Sequence, residues 1–219
     1  MSAGGLAAGP GALGRLHVLT DARLGRDPLP SVAGALSAAA GSPGALTVQV
    51  RAKQLSDRVL YDLALRVVRL CQEHGATCTV DDRPDVALAV GAAGTHLGAQ
   101  DLPVTVARRL VGPGHALGGT AREPVAAAAL VDEGVDYLGV GPVFATTTKD
   151  GLPDPIGVPC VAAVAAAVSV PVLAIGGVTA AVVPDLLAAG AWGVAVVTAV
   201  SDAADPSAAT RALLAALAR

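Results

Sequence analysis

The amino-acid sequence predicts a single (β/α)8 barrel, and three observations carry that expectation. Eight short β-branched runs alternate with eight Ala/Leu-rich stretches of helical length. The short runs are apolar through most of their length, as strands of a parallel sheet covered by helices must be. Glycine turns follow the late runs, where barrels commonly place phosphate sites, whereas a doubly wound open sheet carries its glycine-rich turn after the first strand. Here the first run ends in Thr20-Asp21-Ala22-Arg23.

In chain order, the strands are expected at residues 16–20, 46–50, 77–80, 94–97, 115–119, 137–140, 172–175 and 193–197. Between them, helices are expected at 30–40, 57–74, 84–90, 104–111, 123–133, 159–168, 180–189 and 207–218. The second helix spaces Val59, Leu63, Val67 and Leu70 so that they would share a buried face. Pro84 and Pro103 suit helix starts, and Pro171 introduces a strand. Gly75, Gly134 and Gly190 each stand between a helix and the next strand, the place of a C-terminal cap that tolerates positive φ. The elements use the whole chain from residue 15, so one barrel over 15–219 is expected, after a Gly/Ala-rich, flexible tail over 1–14.

With 53% apolar and only 15% charged residues among 219, a sizeable core can be buried. Aromatics are 2%, so Ala, Val, Leu and Gly must fill it. A formal net charge of −3 and the scarcity of stacking aromatics speak against a nucleic-acid partner. Residues 1–14 lack the basic start and apolar run of a signal peptide, and Pro159 and Pro171 interrupt the apolar stretch 158–175, so no membrane association is expected. Cys71, Cys78 and Cys160 are odd in number and show no metal spacing, which suits reduced thiols in a cytoplasmic protein. The composition is compatible with a homo-oligomer.

The polar residues gather at the C-terminal ends of the expected strands, where barrel active sites form. Alternation sends Gln49, Arg51 and Lys53 to one face, an amide and two cations in phase. The third strand ends in Asp81-Asp82-Arg83, and Asp101 follows the fourth. Carboxylates from neighbouring strand ends suit Mg²⁺, which takes one or two of them with substrate phosphate oxygens. Asp82 and Asp101 equally suit N-caps of the helices that follow. His96 is either a core histidine or a substrate contact; His17 has no evident role. After the sixth strand, Thr146, Thr147, Thr148 and Lys149 collect three hydroxyls and an ammonium, donors for a phosphate on a loop expected to close over it. Gly176-Gly177 after the seventh strand, with the helix beyond Thr179, forms a second phosphate candidate.

These pieces resemble the thiamine-phosphate synthase family. The matching segments are Gln49-Val50-Arg51-Ala52-Lys53, Asp81-Asp82-Arg83, the run from His96 to Pro103, the run from Gly141 to Lys149, and Ile175-Gly176-Gly177. The resemblance implies a barrel enzyme that joins hydroxymethylpyrimidine diphosphate to thiazole phosphate, releases pyrophosphate and requires Mg²⁺. It implies that Gln49, Arg51, Lys53 and Lys149 hold the diphosphate and that Asp82 and Asp101 bind Mg²⁺. Thr146, Thr148 and the backbone of Gly176, Gly177, Val197 and Thr198 would hold the thiazole phosphate, with Asp81, His96 and Thr120 as further substrate contacts. Departures from the family pattern are Asp81 for Asn, Ala99 for Gln, Thr120 for Ser and Arg122 for His. Asp81 would add a negative charge beside the diphosphate. A thiazole tautomerase-like paralogue and a precursor-binding barrel without catalysis are the alternatives.

Overall fold

The computed structural model describes residues 13–23, 25–42, 44–146 and 154–218. Strands β1 (Leu16–Leu19), β2 (Leu46–Val50), β3 (Thr77–Asp81), β4 (Gly94–Leu97), β5 (Ala116–Ala121), β6 (Tyr137–Val140), β7 (Val172–Ile175) and β8 (Gly193–Val196) are joined in sequence order into a closed barrel. All neighbouring pairs are parallel, and β1 closes on β8 through Leu16↔Val194 and Val18↔Val196. Closure removes the sheet edges that an open doubly wound sheet would keep.

The helices are α1 (Leu29–Ala38), α2 (Asp57–Glu73), α3 (Pro84–Val90), α4 (Val104–Val111), α5 (Pro124–Glu133), α6 (Gly157–Ala167), α7 (Val183–Ala188), α8 (Thr198–Ser201) and α9 (Pro206–Leu217). Gly75, Gly134 and Gly190 have φ of 66°, 103° and 89° behind α2, α5 and α7, the left-handed geometry expected of them.

Several boundaries differ from the sequence-based expectation. β5 runs two residues further because Thr120 and Ala121 pair with Gly139 and Val140 of β6. α7 begins at Val183 because 180–182 form a turn, with Val182 N donating to Thr179 O at 3.2 Å. On α2, the buried stripe is Leu60, Ala64, Val67, Val68 and Cys71, while Val59 is exposed. The apolar face is therefore rotated from the expected one, because small Ala64 and Cys71 permit closer packing than the more conspicuous leucines. The four-residue α8 was not expected; a single turn is too short to leave a periodic pattern.

Leu13 and Gly14, assigned by composition to a flexible tail, pack into the base of the barrel. Leu13 clusters with Ala116, Tyr137, Leu173 and Trp192. Gly14 N donates to Thr47 Oγ1 at 2.8 Å, and that hydroxyl meets Thr77 Oγ1 at 2.7 Å. Residues 1–12 lie outside the described residues. Arg15 closes the seam beside them, donating from Nε to Trp192 O at 2.7 Å and from Nη1 to Leu217 O at 3.0 Å.

Also at the base, the Arg108 guanidinium gathers the end of α4 and the entries to β5 and β6. It donates to Gly112 O, His115 O, Gly134 O and Asp136 Oδ2, at 2.9, 2.7, 3.0 and 2.6 Å. Asp136 Oδ2 also accepts from Leu117 N at 2.7 Å. One half-buried cation thus satisfies carbonyls that would otherwise be left unpaired where strands begin.

Candidate active site

At the opposite, C-terminal end of the strands lies a cavity of about 580 Å³. It brings together Gln49, Arg51, Lys53, Asp81, Asp82, His96, Asp101, Thr120, Thr146, Gly176, Gly177, Val197 and Thr198, residues that the sequence places on seven separate segments. Thr148 and Lys149, with the rest of the expected closing loop from residue 147, lie outside the described residues.

The wall formed by β2, β3 and the loop after β4 is charged. Lys53 Nζ lies 3.0 Å from Asp82 Oδ1 and 3.5 Å from Asp101 Oδ1. Asp82 is a non-glycine residue at φ 66°, its N donating to His96 O at 2.8 Å, so strained backbone turns its carboxylate toward the mouth. Asp101 Oδ2 accepts from Gly98 N at 2.7 Å. Neither carboxylate caps a helix: the N-cap positions of α3 and α4 are Arg83 and Pro103.

The electrostatics of the three groups are linked. Burial, then the hydrogen bond to Asp101, raises Asp82 to about 6, against the pull of Lys53. Burial also pushes Asp101 upward, but its hydrogen bonds with Asp82, Gly98 N and Lys53 bring it below the usual carboxylate range. Burial lowers Lys53, and its pairing with the two carboxylates more than restores it, so the ammonium stays charged. Two carboxylates converging on one cation are a donor set that fits a hard divalent ion. Among the described residues, no group of three or more His, Cys, Asp or Glu could hold a metal. An ion at Asp82 and Asp101 would take its remaining ligands from water and substrate.

Beneath the charged wall runs a polar layer inside the barrel. Gln49 Nε2 donates to buried Asp81 Oδ1 at 2.6 Å, and Gln49 Oε1 faces His17 Nδ1 at 3.3 Å. Burial, then the neighbouring Asp82, raises Asp81 to about 8. Burial thus favours the protonated carboxyl, which offsets the extra negative charge that the sequence implies there. His17, expected to have no role, is fully buried and lowered to about 4 by burial, hence neutral. His96 is packed as a core histidine at the floor of the cavity. Its Nε2 meets Thr120 Oγ1 at 2.9 Å and its Nδ1 meets the Tyr137 hydroxyl at 3.3 Å, as in a core histidine, yet it also lines the cavity. Tyr137, which sequence reasoning took only as a strand start, fits because Gly118 faces it: a Cβ there would fall 2.2 Å from Tyr137 Cζ. The inward phase shared by Tyr137, Gly139 and Gly141 was the signal that could have found it.

The wall formed by β7 and β8 is built of backbone. Gly176 and Gly177 take φ of 96° and 66°. The chain after β6 passes so close that added Cβ atoms would fall 2.5 Å from Pro142 Cβ and 2.7 Å from Ala145 O. Val143 N donates to Ile175 O at 2.9 Å and Phe144 N to Gly176 O at 3.0 Å, fixing the start of the loop that carries Thr146. Val197 and Thr198 open α8 on the same side of the cavity. Behind α8, Asp21, whose side chain is 2% exposed, accepts from Arg23, Arg26 and Ser201. Arg26 also pairs with Asp202, so the loop after β1 tethers this short helix.

The thiamine monophosphate synthase family profile matches residues 16–200 of this barrel, spanning every strand and the motifs around the cavity. The chain belongs to that family. It is 59% identical over 207 residues to a thiamine-phosphate synthase of Salinispora arenicola, covering 94% of this chain and 98% of that one. A thiamine-phosphate synthase of Salinispora tropica is 60% identical over the same shares. Among solved structures, a thiamine phosphate pyrophosphorylase from Pyrococcus furiosus superposes with a TM-score of 0.83 at 34% identity, over 95% of this chain and 97% of that one. As a family member the chain is an enzyme of thiamine biosynthesis, a transferase built on a (β/α)8 barrel. No helix among the described residues is long and apolar enough to cross a membrane.

Proposed function

We propose that this cavity joins hydroxymethylpyrimidine diphosphate to thiazole phosphate, with Mg²⁺, in the cytoplasm. The carrying observation is Lys53 lodged between Asp82 and Asp101, with Arg51 on the same wall. In the reaction the C–O bond to the diphosphate breaks, the pyrophosphate leaves with that electron pair, and the thiazole nitrogen forms the new C–N bond. Arg51 and Lys53 face the leaving group as its charge grows, and Lys149 would join them. Asp82 and Asp101 would hold Mg²⁺, which supplies further charge stabilisation to the pyrophosphate oxygens. Thr146, Thr148 and the backbone of Gly176, Gly177, Val197 and Thr198 would hold the thiazole phosphate, so that the nitrogen is placed by binding rather than activated by a protein base. Gln49, which the resemblance assigns to the diphosphate, donates instead to buried Asp81, and with Asp81, His96 and Thr120 it would form the polar floor for the pyrimidine.

Arg122 disfavours a tautomerase, because a guanidinium stays protonated and does not shuttle protons. The free thiols of Cys71, Cys78 and Cys160 support a reducing compartment. Incubation with both precursors and Mg²⁺ should yield thiamine phosphate, and chelation with EDTA should abolish it. Calorimetric binding of both precursors without product would instead identify a non-catalytic binding barrel.

A further inference from the structure

One cation of the cavity has no part in the arrangement above. Arg122 follows β5 directly, in the same inward phase as Gly118 and Thr120, and lines the cavity on the side away from Lys53. Its backbone is fixed, since Cys160 Sγ donates to Arg122 O at 3.0 Å. Its Nη2 donates to Asp154 O at 2.6 Å. Its Nε is buried and has no acceptor. Lys53 is held by two carboxylates, whereas Arg122 forms no ion pair among the described residues.

A strut that only held Asp154 would need one donor. A guanidinium with five donors, one used and another buried without an acceptor, is arranged for an anionic oxygen still to arrive. The diphosphate already has Arg51, Lys53 and the two carboxylates with their metal. Arg122 instead adjoins β6, whose following loop brings Thr146 to the cavity, and so lies on the flank that the monophosphate would use. We infer that Arg122 is a substrate-binding residue for the phosphate of the thiazole partner, gripping it from the β5 side while the glycine backbone holds it from β7 and β8. The inference rests on the assignment of the two walls proposed above.

Steady-state kinetics of the full chain with both substrates tests it, with thermal unfolding measured alongside. Arg122→Gln should raise the KM for thiazole phosphate by about 10- to 100-fold, which is the loss of one charge-assisted contact, and change that for the pyrimidine diphosphate less than about threefold. Arg122→Lys should fall between Gln and wild type, because charge is kept and the planar fork is lost. A purely structural Arg122 would lower the unfolding midpoint and kcat with no substrate-selective change in KM, which would overturn the inference. Equal shifts in both KM values would overturn it as well. Should Arg122→Gln fail to fold, the Lys variant decides by the same selectivity. Lys53→Ala serves as the control for the walls themselves. If its defect fell on thiazole phosphate, the wall assignment would fail; if it fell on the diphosphate while Arg122→Gln showed no selectivity, only Arg122 would be misassigned.

Discussion

The two ends of the barrel each carry a half-buried ion pair, and they are built on opposite plans. At the base, Arg108 and Asp136, both 21% exposed, sit among donors and acceptors that match one another fully, with the guanidinium spread over three carbonyls and a carboxylate. At the mouth, Lys53 serves two carboxylates that compete for it, one of them raised to about 6, and the residue aiming that carboxylate has strained backbone. The base is a settled network whose loss costs stability. The mouth is held short of cation, and the proposed metal and polyanion would relieve that imbalance on entering. Mutations at the two ends should therefore be read on different instruments.

The largest effect is expected at the mouth. Chelation, or Asp101→Asn, should depress turnover by about 100-fold or more, from the loss of metal-assisted charge stabilisation. Full activity in EDTA would show that the carboxylates are satisfied by Lys53 alone and would erase the contrast. Lys53→Ala should raise the KM for the pyrimidine diphosphate by roughly 10- to 100-fold, with less than about 1 kcal/mol lost from stability because the ammonium is partly exposed. Arg108→Ala should do the reverse. A loss of about 2–4 kcal/mol is expected from unpaired carbonyls and Asp136, lowering the unfolding midpoint by roughly 5–15 °C. Both KM values should stay unchanged, and a kinetic defect without destabilisation would overturn the division of labour.

The smallest effect lies midway along the barrel. Buried His17 has its folded pKa depressed to about 4. Unfolded histidine takes up a proton below about 6.5, so in this window the unfolded state binds more protons. The contribution of His17 to stability is complete above pH 6.5 and is lost as pH falls toward 4, with a slope of up to about 1.4 kcal/mol per pH unit. His17→Gln should flatten the stability profile of the chain between pH 4 and 6.5. An unaltered slope would mean that His17 is protonated within the fold, paired through its second nitrogen.

The fold was legible because period and polarity agree along the strands, and because Gly75, Gly134 and Gly190 stop helices where strands must start. Lys53, Asp82 and Asp101 were legible because charges at the ends of apolar strands stand out from the background. Tyr137 and His17 were not, since one aromatic or imidazole inside an apolar strand looks like core until its cross-barrel neighbours are known. Arg108 and Asp136 were hidden for a related reason: each looks like ordinary solvated surface, and only the fold brings residues 28 apart in sequence within 2.6 Å. α8 escaped because its role depends on its tether to Asp21 rather than on any periodicity of its own.

The seam drawn by Arg15 reaches beyond this one barrel. Its bonds to Trp192 O and Leu217 O place the entry to the first strand beside the exit of the last helix, both at the closed base. A second catalytic unit spliced onto either side of that seam would hang from the face remote from the cavity, leaving substrate traffic unobstructed. The barrel is thereby suited to being one bead on a longer enzyme, with its working face always turned outward.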